Sequence, residues 1–157
     1  GAILVSLLII VGAVFALGGD KNPKREEQGT ASMTIDKKNE DFGSMKVEEE
    51  KTATFTVINT STDSVLRIWN IATSCDCTFA TVVIKGQETG EFNMKAHMGE
   101  ALRNWIGEVP AGEKAIMKVT YRPKVMPVQG PVTRQVTFST NDPNNADVEV
   151  SVSANVL

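Results

Sequence analysis

From Met33 onward, apolar and polar residues alternate with a period of two. KTATFTVIN sets Ala53, Phe55 and Val57 against Thr52, Thr54 and Thr56. EKAIMKVTY places Ala115, Met117, Val119 and Tyr121 on one face. VTRQVTFST places Val132, Arg134, Val136 and Phe138 together, against threonines and a serine. DVEVSVSANV alternates strictly through Val148, Val150, Val152, Ala154 and Val156. Successive side chains of a strand point to opposite faces, so this pattern predicts half-buried strands. VLRIWNI (65–71), TFATVVI (78–84) and a short MTID (33–36) bring the expected number to about seven.

Turn signals separate these runs: NTSTDS at Asn59–Ser64, PAGE at Pro110–Glu113 and TNDPNNAD at Thr140–Asp147. No βαβ rhythm is present, so the pattern predicts an all-β, two-sheet antiparallel sandwich. One connection breaks the rhythm. Residues 85–112 form a long loop insertion, within which HMGEALRNW is expected to make a turn or two of helix with Leu102 and Trp105 inward. Long ordered loops in compact domains are usually functional.

The start of the chain follows another rule. Residues 1–19, GAILVSLLIIVGAVFALGG, carry no charge. As a helix this run is long enough to cross a bilayer core of about 30 Å. It also fits the apolar region of a secretory signal, with Val14-Phe15-Ala16 as a small-x-small cleavage site. Apolar on all sides, it is a poor buried core helix. Lys21, Lys24 and Arg25 are interleaved with Asp20, Glu26 and Glu27, so charge does not set an orientation. Residues 20–32 read as a polar linker, and 33–157 as the sandwich. The expected location is extracytoplasmic (periplasmic or cell surface) and membrane-anchored through residues 1–19. Secretion after signal cleavage is the alternative.

With 157 residues, 41% hydrophobic and 22% charged, the chain has room for one domain with a real core beyond the apolar run. The net charge is -3 and the basic residues are scattered, which argues against a nucleic-acid partner.

Both cysteines fall in TSCDCTF, at Cys75 and Cys77. In an extended strand they would share one face with Asp76 turned away, their Cα atoms about 6.6 Å apart. That is near the upper limit for a disulfide, so a bridge would need the chain to bend. It would also close a tiny loop and constrain the unfolded chain little. A stabilising disulfide is therefore the weaker reading, beside simple packing of two small side chains or a strained disulfide. Two thiolates suit Cu(I), or less well Zn(II). The long loop offers Met94, His97 and Met98 at i, i+3 and i+4, which would complete a copper set with Cys75 and Cys77 if the loop folds back over them. Thiol redox chemistry is a further reading. A cysteine nucleophile would need a base and an orienting group that no pattern specifies. Glu48, Glu49 and Glu50 read as a solvated turn, and no phosphate loop or zinc-hydrolase motif is present.

DFGSMKVEEEKTATFTVINTSTDSVLRI, ATSCDCTFATVV, GEVPAGEKAIMKVTYRP and the Asn-Asp-Pro turn, in that order, resemble an uncharacterised bacterial Ig-like family. That family is similar in fold to the ASH and major-sperm-protein sandwiches, and carries a Ser-Cys-x-Cys-Thr motif. The resemblance covers residues 33–157. It implies an Ig-like antiparallel β-sandwich in an exported bacterial protein, with no established activity. Related sandwiches mostly act as interaction modules. The expected function is thus a non-catalytic, membrane-tethered binding or scaffolding module with a protein partner and no required cofactor. A periplasmic copper-binding protein and a thiol-redox protein are the alternatives. A retained apolar segment would also allow self-association.

Overall fold

The computed structural model describes residues 31–157. In chain order the strands are β1 (Met33–Ile35), β2 (Asn39–Met45), β3 (Lys51–Asn59), β4 (Leu66–Thr73), β5 (Thr78–Ile84), β6 (Gln87–Glu88), β7 (Ile106–Val109), β8 (Lys114–Tyr121), β9 (Gly130–Thr140) and β10 (Asp147–Val156). One short helix, α1 (Glu100–Arg103), precedes β7. The strands form two five-stranded sheets, β1-β3-β8-β5-β6 and β2-β10-β9-β4-β7.

The alternating runs became β3, β8, β9 and β10, and their apolar faces form the layer between the sheets. Phe55, Val57, Val82, Met117 and Val119 from one sheet are buried in one cluster with Leu66, Ile68, Val136, Val150 and Val152 from the other. Full burial of such side chains contributes about 1.5–3 kcal/mol each. Only β5–β6 and β9–β10 follow one another within a sheet. All other connections cross between the sheets.

The expectation of about seven antiparallel strands requires three corrections. β2 pairs in parallel with the end of β10, so that sheet is mixed. Its sequence, NEDFGSM, has no clean alternation because it lies at the sheet edge, where few of its positions are buried. β6 follows a two-residue hairpin at Lys85 (φ 51) and Gly86 (φ 78). Two positive φ angles match the twist of paired strands, but Lys at the first position gave no turn signal. β7 lies inside the segment expected to be loop, paired with Leu66–Trp69. Residues 85–112 are therefore built structure: Phe92 is fully buried and pairs with Ala80, and Trp105 meets it edge-on at 5.4 Å. The helical turn is where it was expected, with Leu102 and Trp105 against the core.

The expected membrane or signal segment, 1–19, and residues 20–30 of the expected linker lie outside the described residues. Among the described residues no helix is long and apolar enough to cross a membrane. Ala31 is buried and the Ser32 carbonyl accepts from Thr60 N–H, so the sandwich begins two residues before Met33.

Buried polar residues fasten the crossings. Asn59 Nδ2 donates to the carbonyls of Ser64 and Val109, and its Oδ1 accepts from Ser61 N–H. In the Asn-Asp-Pro turn, Asn141 Oδ1 accepts from Arg67 N–H at the start of β4. Asp142 accepts from Met33 N–H at the start of β1, and from Asn144 N–H and Asn145 Nδ2 in its own turn. Burial alone would push the Asp142 carboxyl up, but the bonds from Asn145, Asn144 and Met33 outweigh it and hold the group below its ordinary range.

A depressed folded pKa adds stability above the unfolded value of about 3.9, and that stability is lost as pH falls through the folded value. Asp142→Ala is expected to cost on the order of 2–3 kcal/mol at neutral pH. The gap between variant and wild type should narrow from neutral pH to about pH 2. Urea unfolding at both pH values measures it; a gap independent of pH would show that the charge contributes nothing.

Candidate functional site

The cysteine pair lies at one end of the sandwich, and a bulge in β4 sets its facing. Leu66 and Ile68 point inward, but the pairing with β9 shifts between Trp69 and Ala72. Asn70 occupies the shift with φ 56, a left-handed conformation that Asn tolerates better than most residues. Beyond it the inward phase falls on Ile71, Thr73 and then Cys75. The chain next turns over to reach β5 in the other sheet.

That turn replaces the extended geometry expected for Cys75 and Cys77. Thr78 N–H donates to the Cys75 carbonyl at 3.1 Å, closing a four-residue turn. The two Cα atoms come to 5.2 Å and the sulfurs form a disulfide. The bend that a bridge was expected to need is present: the chain turns because it must change sheets. The turn has independent support. Thr73 Oγ1 donates to the Cys75 carbonyl, Asn93 Nδ2 to the carbonyls of Asp76 and Thr78, and Arg122 N–H to the carbonyl of Cys77.

The sulfurs have distinct surroundings. Cys77 is fully buried and Cys75 is 9% exposed. Arg134 Nε lies 3.2 Å from Cys77 Sγ, and the Thr78 hydroxyl lies at 3.7 Å. Cys75 Sγ accepts from Cys77 N–H at 3.2 Å and touches Met126 Sδ at 3.7 Å. Arg134 also lies over the Tyr121 ring, 5.7 Å from its centroid. The Tyr121 hydroxyl is buried without a hydrogen-bond partner among the described residues.

The residues expected to form a copper set are only partly brought together. The segment 93–98 does return to the cysteine turn, through Asn93 and through a hydrogen bond between His97 Nδ1 and Asp76 Oδ1. However, Cys75 and Cys77 are bonded to each other, and His97 faces Asp76. Met98 is buried in the core and Met94 is half-buried. Among the described residues no three His, Cys, Asp or Glu side chains group as a metal site. The thioether that meets a cysteine is Met126, from the connection between β8 and β9.

A second cation lies nearby. Arg122 donates to Glu50 from Nε and to both oxygens of Glu91 from Nη1 and Nη2, and it stacks over Phe79. The bonds to Glu91 and Glu50 raise the Arg122 pKa, and Arg122 in turn holds the Glu91 carboxyl below its usual range. Glu50 is thus not merely solvated. Arg122 is satisfied as an ion pair, whereas Arg134 has no carboxylate partner among the described residues. Of the residues missed by pattern reading, Arg134 had a signal: a charge at an inward position of an alternating strand. Met126 and Asn93 had none.

The sequence profile of a family described as "Protein of unknown function (DUF1573)" matches residues 33–103. No curated protein matches the chain. Among solved structures, the chain is similar to a protein of unknown function from Porphyromonas gingivalis W83, with a TM-score of 0.58 and 16% identity over 80% of this chain. It spans 46% of that protein's length. It is also similar to PapD-like domain 7 of human CEP192, described as an ASH/PapD-like domain (TM-score 0.51, 11% identity, 90% of this chain and 95% of that one). A third likeness is to a family 123 glycoside hydrolase from Clostridium perfringens (TM-score 0.55, 7% identity, 82% of this chain and 27% of that one). At these identities the likeness is one of fold, an Ig-like sandwich.

The unreduced protein is expected to show no free thiol even when unfolded, and both cysteines after reduction. In that unreduced state it should leave Cu(I) with a competing chelator. Thiol counting and chelator titration against Cys75→Ser/Cys77→Ser check this; tighter binding by the unreduced wild type would contradict the arrangement.

Proposed function

We propose that this domain is an Ig-like binding or scaffolding module, without a catalytic centre, working outside the cytoplasm of a bacterial cell and tethered to the membrane through residues 1–19. The disulfide supports an oxidising compartment, since such bonds persist there and are rare in the cytosol. The fold supports an interaction role, as the resemblance implies.

The observation that carries the reading is an apolar surface on the β8–β9 connection. Val125, Met126 and Val128 are 45%, 49% and 37% exposed within four residues. They do not fold inward because their backbone is held: Pro123 is buried, Val125 N–H donates to the Arg122 carbonyl, and Met126 N–H to that of Pro123. An apolar cluster kept in water by a fixed loop marks an interaction surface, and its rigidity lowers the ordering cost of binding. Within residues 85–112, by contrast, Phe92 and Met98 are buried. The partner that fits is a protein segment with apolar side chains.

A photocrosslinking residue at Val125, in the full chain within native envelopes, is expected to yield a discrete protein adduct. Val128→Asp should abolish it, and the same probe at Asn144, at the far end of β9, should not form it. Equal adducts at both positions, or no effect of Val128→Asp, would refute this surface.

A further inference from the structure

We infer that the Cys75–Cys77 disulfide is a thiol-exchange site, with Cys75 as the attacked sulfur and Cys77 as the leaving thiolate held by Arg134. The class of co-reactant is a thiol, either a small thiol or a cysteine side chain of a protein. The inference goes beyond the binding reading and does not depend on it.

Three observations carry it. First, the turn does not need the bond to hold its shape. The carbonyls of Cys75, Asp76, Cys77 and Thr78 each accept a hydrogen bond, from Thr78 and Thr73, Asn93, Arg122 and Asn93 in turn. A bridge across one intervening residue also restrains the unfolded chain little. Its chemistry is then free to vary while the fold stays.

Second, Arg134 has no carboxylate partner among the described residues. It stands at an inward position of β9, with a neutral disulfide sulfur, the Thr133 carbonyl and the Tyr121 ring as its partners. Arg122, a short distance along the same end, carries two carboxylates. A sulfur 3.2 Å from a guanidinium N–H becomes a far better partner once it bears negative charge. Third, the two sulfurs are unequal in access. Both residues are buried, Cys77 fully and Cys75 at 9% exposure, and Cys75 borders the half-exposed Met126, whose flexible side chain can move aside.

The step balances without an outside oxidant. A thiol loses its proton to water, and its thiolate attacks Cys75 Sγ. A new S–S bond forms to Cys75, the Cys75–Cys77 bond breaks, and its electron pair leaves on Cys77 Sγ. Arg134 Nε–H and the Thr78 hydroxyl face that thiolate. Cys77 can then attack Cys75 Sγ and expel the incoming thiol, restoring the start. Alternatively a second thiolate attacks the incoming sulfur, releasing an oxidised pair and leaving Cys75 and Cys77 reduced by two electrons. Exchange is faster when the leaving thiol is the more acidic one, which is the role assigned to Arg134.

The test is exchange of the full chain, in detergent, with reduced glutathione, quenched by alkylation and mapped by mass spectrometry. The expected result is glutathione on Cys75 and the alkyl label on Cys77. Arg134→Met should slow exchange severalfold and raise the pH midpoint for Cys77 alkylation in the reduced protein by on the order of one unit. Arg134→Lys should restore most of both, and Met126→Ala should speed attack. Glutathione attached to Cys77, no exchange with the folded wild type, or Arg134→Met reacting as fast as wild type would each overturn the inference. The site of attachment needs no variant, so a misfolded variant leaves the test intact. Glutathione has no apolar surface to dock on, so a failure here leaves the Val125–Val128 surface standing, and the reverse also holds.

Discussion

A single apolar layer shared by two sheets is the constraint on which the rest of this domain depends. Phe55, Val82, Met117 and Val119 lie in one cluster with Leu66, Ile68, Val136 and Val150, and neither sheet could stay in water without the other. Consecutive strands therefore mostly belong to opposite sheets, and the chain must turn over at the ends of the sandwich. Those turnovers bury backbone that no strand partner can satisfy. Asn59, Asn141 and Asp142 supply the missing partners at one end. Thr73, Asn93 and Arg122 do so around the cysteines.

The same constraint explains why the cysteines are bonded. Cys75 leaves one sheet and Thr78 enters the other, so the intervening chain must be a turn. A turn shortens the distance between residues i and i+2, and 5.2 Å between Cα atoms suits a bridge better than extended spacing does. The pair is then sealed on one side by the core and bounded on the other by Met126. Arg134 and Arg122 show two ways of holding a cation at a sandwich end. One is neutralised by carboxylates and stacked on Phe79, and the other rests against a sulfur and a tyrosine ring.

A binding surface and a reactive disulfide at one end of a domain would make a coherent arrangement. The apolar loop that carries Val125 and Val128 also carries Met126, which touches Cys75. A partner resting on that loop would bring its own side chains close to the less buried sulfur. Reduction would leave the turn hydrogen bonds in place, so recognition and redox state could vary separately.

Much of the fold was legible in the chain because period-two alternation is a local property. β3, β8, β9 and β10 follow from it directly, and NTSTDS, PAGE and TNDPNNAD mark the turns between runs. The helical turn near Leu102 was legible too, from the local run HMGEALRNW. β2 and β6 were not, since an edge strand needs no clean alternation and a Lys-Gly hairpin carries a weak turn signal. The site was legible only as residue types. The sequence displayed two cysteines, one histidine and an arginine on an apolar face. It could not show that a bulge at Asn70 would carry Cys75 inward, or that His97 would pair with Asp76. Cys77 and Arg134 stand 57 residues apart, and their contact exists only because β5 and β9 meet across the core. Alternation decides which way each side chain points; only the packing of one sheet on the other decides what it finds there.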